Sequence, residues 1–186
     1  MKPIGWGMLV ILIDLRYENV DLVVDLFGWL LLYFGLRRLW RLDNAFRLAA
    51  GFAFVGAVAS LPELIPPYAA AEVFGGSARL ALLIIVGGAV VILTCTGLMR
   101  LADTAGDRSV ESRVRWLRST MAISVVLSLA VGPQQIIMSG GDTSDLTGLL
   151  ALLVVALAFA TTVWFVLLMF SRSVSALTTE RSQAIT

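Results

Sequence analysis

Histidine is absent from the 186-residue sequence, and cysteine occurs once, as Cys95. Without imidazole the chain cannot build a His-based catalytic triad, a His-ligated haem site or a zinc site of the His type. A single cysteine also excludes an intramolecular disulfide and a thiolate metal cluster. The sequence therefore predicts a protein that is not an enzyme and that has no metal or other cofactor.

Charged residues are scarce as well, at 15% of the sequence, and the formal net charge is only +1. Soluble domains usually contain about 25% charged residues, and nucleic-acid-binding domains have a basic surface. Hydrophobic residues instead make up 59% of the chain, and the mean hydropathy is +0.90. We therefore expect an integral membrane protein whose partner is the lipid bilayer and not nucleic acid.

Hydropathy divides the chain into about six hydrophobic segments, which predict an all-α, polytopic transmembrane helical bundle. The segments are residues 4–15, 20–36, 48–66, 80–99, 119–138 and 147–170. The last four are long enough to cross a hydrocarbon core of about 30 Å. The first two are shorter and predict a hairpin of short helices, a re-entrant hairpin, or two spans lengthened by the residues between them. Residues 1–170 would then form one transmembrane domain, with a disordered cytoplasmic tail at 171–186.

Basic residues are distributed unevenly between the connections. If Lys2 and the second and fourth connections are cytoplasmic, twelve of the 14 basic residues lie inside and only Arg16 and Arg79 lie outside. Cytoplasmic loops of membrane proteins carry such an excess of Lys and Arg. Trp40 and Trp116 then fall at the cytoplasmic interface, where indole rings are enriched. The sequence thus predicts a multi-pass plasma-membrane protein with both termini in the cytoplasm.

The N-terminal region is unusually acidic, because Asp14, Glu18, Asp21 and Asp25 are spaced by four, three and four residues. On one continuous helix these carboxylates would share a face. A helix over the first two segments would, however, be about 50 Å long, so we expect a break between them, near residues 16–19. The common face then depends on a helix that the chain is not expected to form.

Asp25 is the most informative of these residues, since apolar residues lie on both sides of it. Ionisable groups at membrane depth are costly and usually face a protein interior or water. One hypothesis is a proton or cation relay that involves Asp25, with Asp14, Asp21 and Arg16 as further candidates. The alternative is structural: a carboxylate that caps a short helix or pairs with Arg16 and so fixes the hairpin.

Four short motifs follow one another in this region: Ile13-Asp14-Leu-Arg16, Asp21-Leu-Val-Val-Asp25, Gly28-Trp29 and Gly35-Leu36-Arg-Arg-Leu39. Together they resemble a group of small polytopic bacterial membrane proteins. The first hairpin of these proteins carries Asp, then Asp-x-x-x-Asp-x-x-Gly-aromatic, then Gly-Leu-x-x-Leu. The resemblance covers about residues 4–47, and Val24 stands where members usually have Pro. It implies a protein of the bacterial plasma membrane and brings no activity with it.

Three further patterns predict local structure. Pro133 interrupts the fifth segment, and the side-chain amides of Gln134 and Gln135 could satisfy the freed carbonyl or line a polar cavity. Small residues on the third and sixth segments predict helix contacts within the bundle. A four-residue spacing of carboxylates after the fourth segment predicts an amphipathic cytoplasmic helix or a helix extension. The small residues are Ala49, Ala53 and Ala57, then Ala156 and Ala160; the carboxylates are Asp103, Asp107 and Glu111.

Two functional classes are compatible with these features. The favoured one is a non-catalytic accessory or assembly subunit of a larger membrane complex, because the chain is small, its loops are short and it lacks cofactor ligands. Its partners would be other membrane-protein chains or a second copy. The alternative is a small transporter or channel in which Asp25, with Gln134 or Gln135, forms a polar path between helices.

Overall fold

The structure is a computed structural model that describes residues 2–13, 16–17, 20–21, 25–61, 76–131, 146–171, 173–174 and 176. This part of the chain contains six α-helices and one short antiparallel ribbon. The helices are α1 (Lys2–Ile13), α2 (Asp25–Arg37), α3 (Asn44–Ser60), α4 (Gly76–Ala105), α5 (Arg108–Val131) and α6 (Leu146–Phe170). The ribbon joins β1 (Arg16–Tyr17) to β2 (Val20–Asp21). The predicted all-α helical bundle is confirmed.

Three of the described helices are long and apolar enough to cross a membrane: Ala78–Ala105, Arg108–Val131 and Gly148–Phe170. The helices α1, α2 and α3 have 12, 13 and 17 residues. At about 1.5 Å per residue they are shorter than a hydrocarbon core of about 30 Å. The chain is therefore a multi-pass helical membrane protein in which long and short helices pack together.

The six helices pack in a cyclic order. Each helix contacts the next one along the chain, and α1 closes the ring against α6. At this closure the Trp6 ring packs edge-on against the Phe170 ring, with 5.5 Å between the centroids. The start of α1 and the end of α6 consequently lie at the same end of the bundle.

The N-terminal pair consists of two short helices that pack against each other, and whether this hairpin spans or re-enters the membrane stays a prediction. The expected break is confirmed, because α1 ends at Ile13, α2 begins at Asp25, and Arg16 pairs with Asp21 in the ribbon between them. A Cβ atom on Gly7 would lie 2.7 Å from the Gly28 carbonyl oxygen. The two helices therefore meet backbone to backbone, which only residues without a side chain permit.

Small residues have different roles on α3 and α6. Ala49, Ala53 and Ala57 are buried inside the bundle, which confirms the prediction for α3. Ala156 and Ala160 are exposed, so this second row does not join helices within the described bundle. The difference arises because α6 buries another face, and a row of alanines does not by itself determine which face of an apolar helix turns inward.

The turn between α4 and α5 separates the carboxylates that recur every four residues. Gly106 has φ 73°, a left-handed conformation that ends α4. Asp107 then caps α5, because its Oδ1 accepts hydrogen bonds from the Ser109 and Val110 amides at 3.1 Å. Asp103, Asp107 and Glu111 therefore lie on two helices and a turn and do not share one face. The helix-extension alternative is the one that forms.

Basic side chains gather at the end of the bundle that holds this turn. Arg100 at the end of α4 pairs with Asp43, which precedes α3, with 3.2 Å between Nη1 and Oδ1. Asp43 also caps α3 by accepting a hydrogen bond from the Ala45 amide at 2.7 Å. The exposed arginines of this end are Arg37, Arg38, Arg41, Arg47, Arg100, Arg108, Arg113 and Arg115.

Candidate functional site: a polar-lined cleft inside the helix ring

Asp25 and Trp29 are placed on one face of α2 by their four-residue spacing. The Trp29 side chain is only 3% exposed. Its indole packs against the backbone of α3, where a Cβ on Gly56 would lie 2.5 Å from Cδ2. Glycine at position 56 is therefore what allows the indole to fit between α2 and α3.

Asp25 and Trp29 both line a cavity of about 230 Å³ between α1, α2 and α4. Its other lining residues are apolar or lack a side chain: Met8, Ile11, Leu80, Leu83, Ile84 and Gly87. Among the residues that the structure describes in this wall, Asp25 is the one that carries an ionisable group. The cavity is thus a mainly apolar space with a carboxylate and an indole on one side.

A second cavity of about 180 Å³ adjoins the first and lies between α1, α4, α5 and α6. The two share the wall residues Met8, Leu83, Ile84 and Gly87. We call the two cavities together the central cleft. Because α1 and α4 stand on opposite sides of the helix ring, the central cleft lies in the interior of the bundle.

The second cavity is lined by hydroxyl groups on α5 and α6. Ser128 donates to the Ser124 carbonyl at 2.8 Å, and Thr162 donates to the Ala158 carbonyl at 2.8 Å. Each hydroxyl therefore satisfies its own donor within its helix and keeps oxygen lone pairs for another partner. Together with Asp25, these groups place oxygen atoms in both parts of the central cleft.

Two buried polar atoms next to the central cleft have no hydrogen-bond partner in the described part of the protein. They are the indole Nε1 of Trp29 and the hydroxyl oxygen of Ser124, whose residue is 1% exposed. A buried donor without an acceptor costs about 1–3 kcal/mol. Such groups in the wall of a cavity are commonly satisfied by water or by a ligand.

The candidate residues named from the sequence divide into three groups. Asp25 lines the central cleft. Arg16 and Asp21 are backbone partners in the ribbon between α1 and α2. Asp14 and the Pro133, Gln134 and Gln135 helix break lie outside the described residues. The structure thus places Asp25 at a cavity. The roles predicted for the other candidate residues stay predictions.

Sequence reasoning missed the polar residues of α5 and the role of Trp29. Leu117, Met121, Ser124 and Ser128 are spaced by four, three and four residues, and all are buried. This is the helical periodicity of an inward face, so the two serines were identifiable as interior polar groups. The sequence identified Trp29 only as the aromatic position of a motif, since no local pattern indicates which helices the indole contacts.

Among the described residues, no group of three or more His, Cys, Asp or Glu side chains is arranged to hold a metal ion. Comparison with protein-family models, with curated proteins and with solved structures finds no match.

Proposed function

We propose that this protein is a small membrane transporter whose path runs through the central cleft, with Asp25 as the ionisable group of that path. The observation that carries the proposal is the position of Asp25 in a cavity that adjoins a second cavity lined by Ser124, Ser128 and Thr162. Ionisable groups that face the interior of a helix bundle commonly mark substrate and ion paths. The alternative function predicted from the sequence is therefore the one that this geometry supports better.

The glycine pair of α4 supports the same proposal. A Cβ on Gly88 would lie 2.3 Å from Cγ2 of Val125, so packing of α5 against α4 requires glycine there. A Cβ on Gly87 would meet nothing closer than Cη2 of Trp29, at 3.8 Å. Glycine within a helix costs about 0.5–1 kcal/mol relative to alanine. Packing does not require Gly87, but its missing side chain leaves the central cleft open.

The experiment that tests the proposal is a proton-flux assay in liposomes. Purified protein is reconstituted with a pH-sensitive dye inside the vesicles, and a potassium diffusion potential drives protons across the membrane. We expect a flux that requires the protein and that Asp25→Asn abolishes, because the amide keeps the shape of the side chain but does not ionise at neutral pH.

The matched control for this assay is Asp103→Asn, which makes the same chemical change at an exposed position on α4. Its flux should equal that of the unmodified protein. Equal flux through the Asp25→Asn variant, in protein that elutes normally from a size-exclusion column, would remove Asp25 from the mechanism.

We also propose that the membrane is the bacterial plasma membrane and that both termini are cytoplasmic. The proposal is supported by the gathering of exposed arginines at the end of the bundle where α1 begins and α6 ends. Trp40 and Trp116 are exposed at the same end, at 37% and 69%. Cytoplasmic ends of membrane proteins carry such basic residues and interfacial indoles.

The role of an accessory or assembly subunit, favoured by the sequence, stays a prediction. One observation supports it: Ala156 and Ala160 lie on an exposed face of α6, and small residues let a helix of another chain approach closely. Extraction in a mild detergent distinguishes the roles. A subunit should be recovered in a particle with other chains, whereas a self-sufficient transporter should be recovered with lipid and copies of itself.

A further inference from the structure

The corner between α2 and α3 carries an excess of positive charge. Its one carboxylate, Asp43, caps α3 and pairs with Arg100 of α4. The ion pairs of the described residues at this end of the bundle involve Arg100 and Arg115, and the arginines of the corner itself take part in neither. We call these four exposed residues the corner arginines: Arg37, Arg38, Arg41 and Arg47.

An aromatic cluster adjoins the corner arginines on the outer surface of the bundle. The Tyr33 ring contacts three other rings, with centroid distances of 5.3 Å to Phe34, 6.5 Å to Trp40 and 5.9 Å to Phe54. Phe34 and Phe54 are 53% and 54% exposed. Because Phe34 lies on α2 and Phe54 on α3, the cluster extends over both helices. In a membrane protein such an exposed apolar surface contacts lipid chains.

Trp40 connects the aromatic cluster to the corner arginines. The Cζ atom of Arg37 lies over the indole ring of Trp40, 5.8 Å from its centroid. This cation–π contact helps to fix the position of the guanidinium group. Within the described part of the chain the N–H donors of Arg37 have no other partner, so they are available to paired oxygen atoms such as those of a phosphate.

We propose that the corner arginines and the aromatic cluster together bind an anionic phospholipid. The headgroup phosphate pairs with Arg37 and its neighbours, and the acyl chains lie against Phe34 and Phe54. A zwitterionic lipid fits less well, because the arginines repel its ammonium group, whereas clusters of basic residues at a membrane surface attract anionic lipids. The site shares no residue with the described walls of the central cleft, so it does not depend on proton transport.

Native mass spectrometry tests the lipid class, because it counts the lipids that stay bound when the full-length protein is released from a non-ionic detergent. The protein is titrated with phosphatidylglycerol, with phosphatidylcholine of identical acyl chains, and with soluble glycerol phosphate. We expect phosphatidylglycerol to bind at least about tenfold more tightly than phosphatidylcholine. Glycerol phosphate should bind more weakly still, because it has no chains to contact the aromatic cluster.

Two results of this titration would overturn the inference. Equal affinity for the two lipids would show that the charge of the headgroup is not recognised. Equal affinity for phosphatidylglycerol and glycerol phosphate would show that the protein binds free phosphate and that the aromatic cluster takes no part.

A pair of triple variants shows where the lipid binds. One replaces three corner arginines with glutamine, and its control replaces three exposed arginines of α5, which removes the same charge from the same end of the bundle. The corner variant should bind phosphatidylglycerol about tenfold more weakly or worse, and the control should stay within about twofold of the unmodified protein. Equal losses would show a diffuse attraction to the whole end and would contradict a site at the corner. The substitutions are Arg37→Gln, Arg38→Gln and Arg41→Gln in the corner variant and Arg108→Gln, Arg113→Gln and Arg115→Gln in the control.

A pair of tryptophan variants tests the connection between the arginines and the aromatic cluster. Trp40→Leu should weaken phosphatidylglycerol binding by about two- to fivefold, because Arg37 loses its cation–π contact. Trp116→Leu, at an indole that is 69% exposed at the same end, should leave binding unchanged. If the corner variant fails to fold, as judged by circular dichroism, this pair still decides the question, and unchanged binding in Trp40→Leu would then refute the site.

Discussion

At the scale of single residues, carboxylates in this protein have roles that their spacing in the chain does not reveal. Asp43 caps α3 and pairs with Arg100, Asp107 caps α5, and Glu111 pairs with Arg115 one turn later. These roles belong to helix ends and exposed helix faces. Asp25 differs from them because it stands at the first residue of α2 and lines a cavity inside the bundle.

The double role of Asp43 gives a prediction about stability. Asp43→Ala should lower the free energy of unfolding by about 1 kcal/mol, since it removes the N-cap of α3. Arg100→Ala removes only the ion pair, whose arginine side chain is 63% exposed, so the loss should stay below about 0.5 kcal/mol. Unfolding in mixed micelles with increasing SDS, followed by circular dichroism, measures both values.

Asp43→Ser is the control for this comparison, because serine retains a capping oxygen but has no charge. Its stability should resemble that of Arg100→Ala. Equal losses in Asp43→Ala and Arg100→Ala would show that the ion pair, and not the cap, is the stabilising contact.

At the scale of elements, the hairpin of α1 and α2 brings Asp25 and Trp29 to the cleft. The two helices approach at Gly7 and Gly28. The motif residues Gly28, Trp29, Gly35 and Leu36 are all buried, so this part of the N-terminal motif describes how the hairpin packs. The hairpin then supplies one wall of the central cleft, and α4 supplies the opposite one.

The close approach predicts a strong effect of a single methyl group. Gly7→Ala should destabilise the protein by about 1–3 kcal/mol, the usual cost of overpacking. The added Cβ would lie 2.7 Å from the Gly28 oxygen and from the Leu32 nitrogen, and neither backbone atom can move without its helix. Thermal unfolding of the purified protein in detergent is a suitable measurement.

The reference variant is Gly51→Ala on α3, where a Cβ meets no atom within 4 Å. It should be neutral or stabilising by up to about 1 kcal/mol, because alanine favours the helix. If both variants were equally stable, the contact between α1 and α2 would be looser than the structure describes.

At the scale of the whole molecule, the helix ring puts both ends of the described bundle on one side. Cys95 is 0% exposed, so the unmodified chain should not react with a membrane-impermeant maleimide in intact cells. This gives a clean background for mapping the topology. Single cysteines can be introduced at exposed positions near the two ends of α4, namely Ala78 and, just after the turn, Ser109.

In intact bacterial spheroplasts, Ala78→Cys should be labelled and Ser109→Cys should be labelled only after permeabilisation. The reason is that an excess of arginine is typical of cytoplasmic ends of membrane proteins, so the exposed arginines near Ser109 favour a cytoplasmic position for that end. Labelling is quantified by the mass shift of the maleimide adduct. The reverse pattern would place the arginine-rich end outside and contradict the proposed topology.

Several properties of this protein follow from the sequence alone. Its apolar composition determined that it is a helical membrane protein, because a chain with so few charges cannot present a polar surface to water. The helix segments followed from hydropathy, although their ends depend on capping residues: α3 begins at Asn44 and not at residue 48, because Asp43 caps it. The break between α1 and α2 followed from length, since one helix over both segments would be longer than a bilayer is thick.

Only the tertiary structure decided which faces turn inward. All faces of the apolar helices suit lipid, so periodicity did not distinguish the buried alanines of α3 from the exposed Ala156 and Ala160 of α6. The central cleft is likewise a property of the ring, because Met8, Asp25, Gly87 and Ser124 come from four helices. Asp25 could be singled out from the sequence because a carboxylate among apolar residues is costly. What surrounds it depends on helices distant in the chain, whose packing no local pattern encodes.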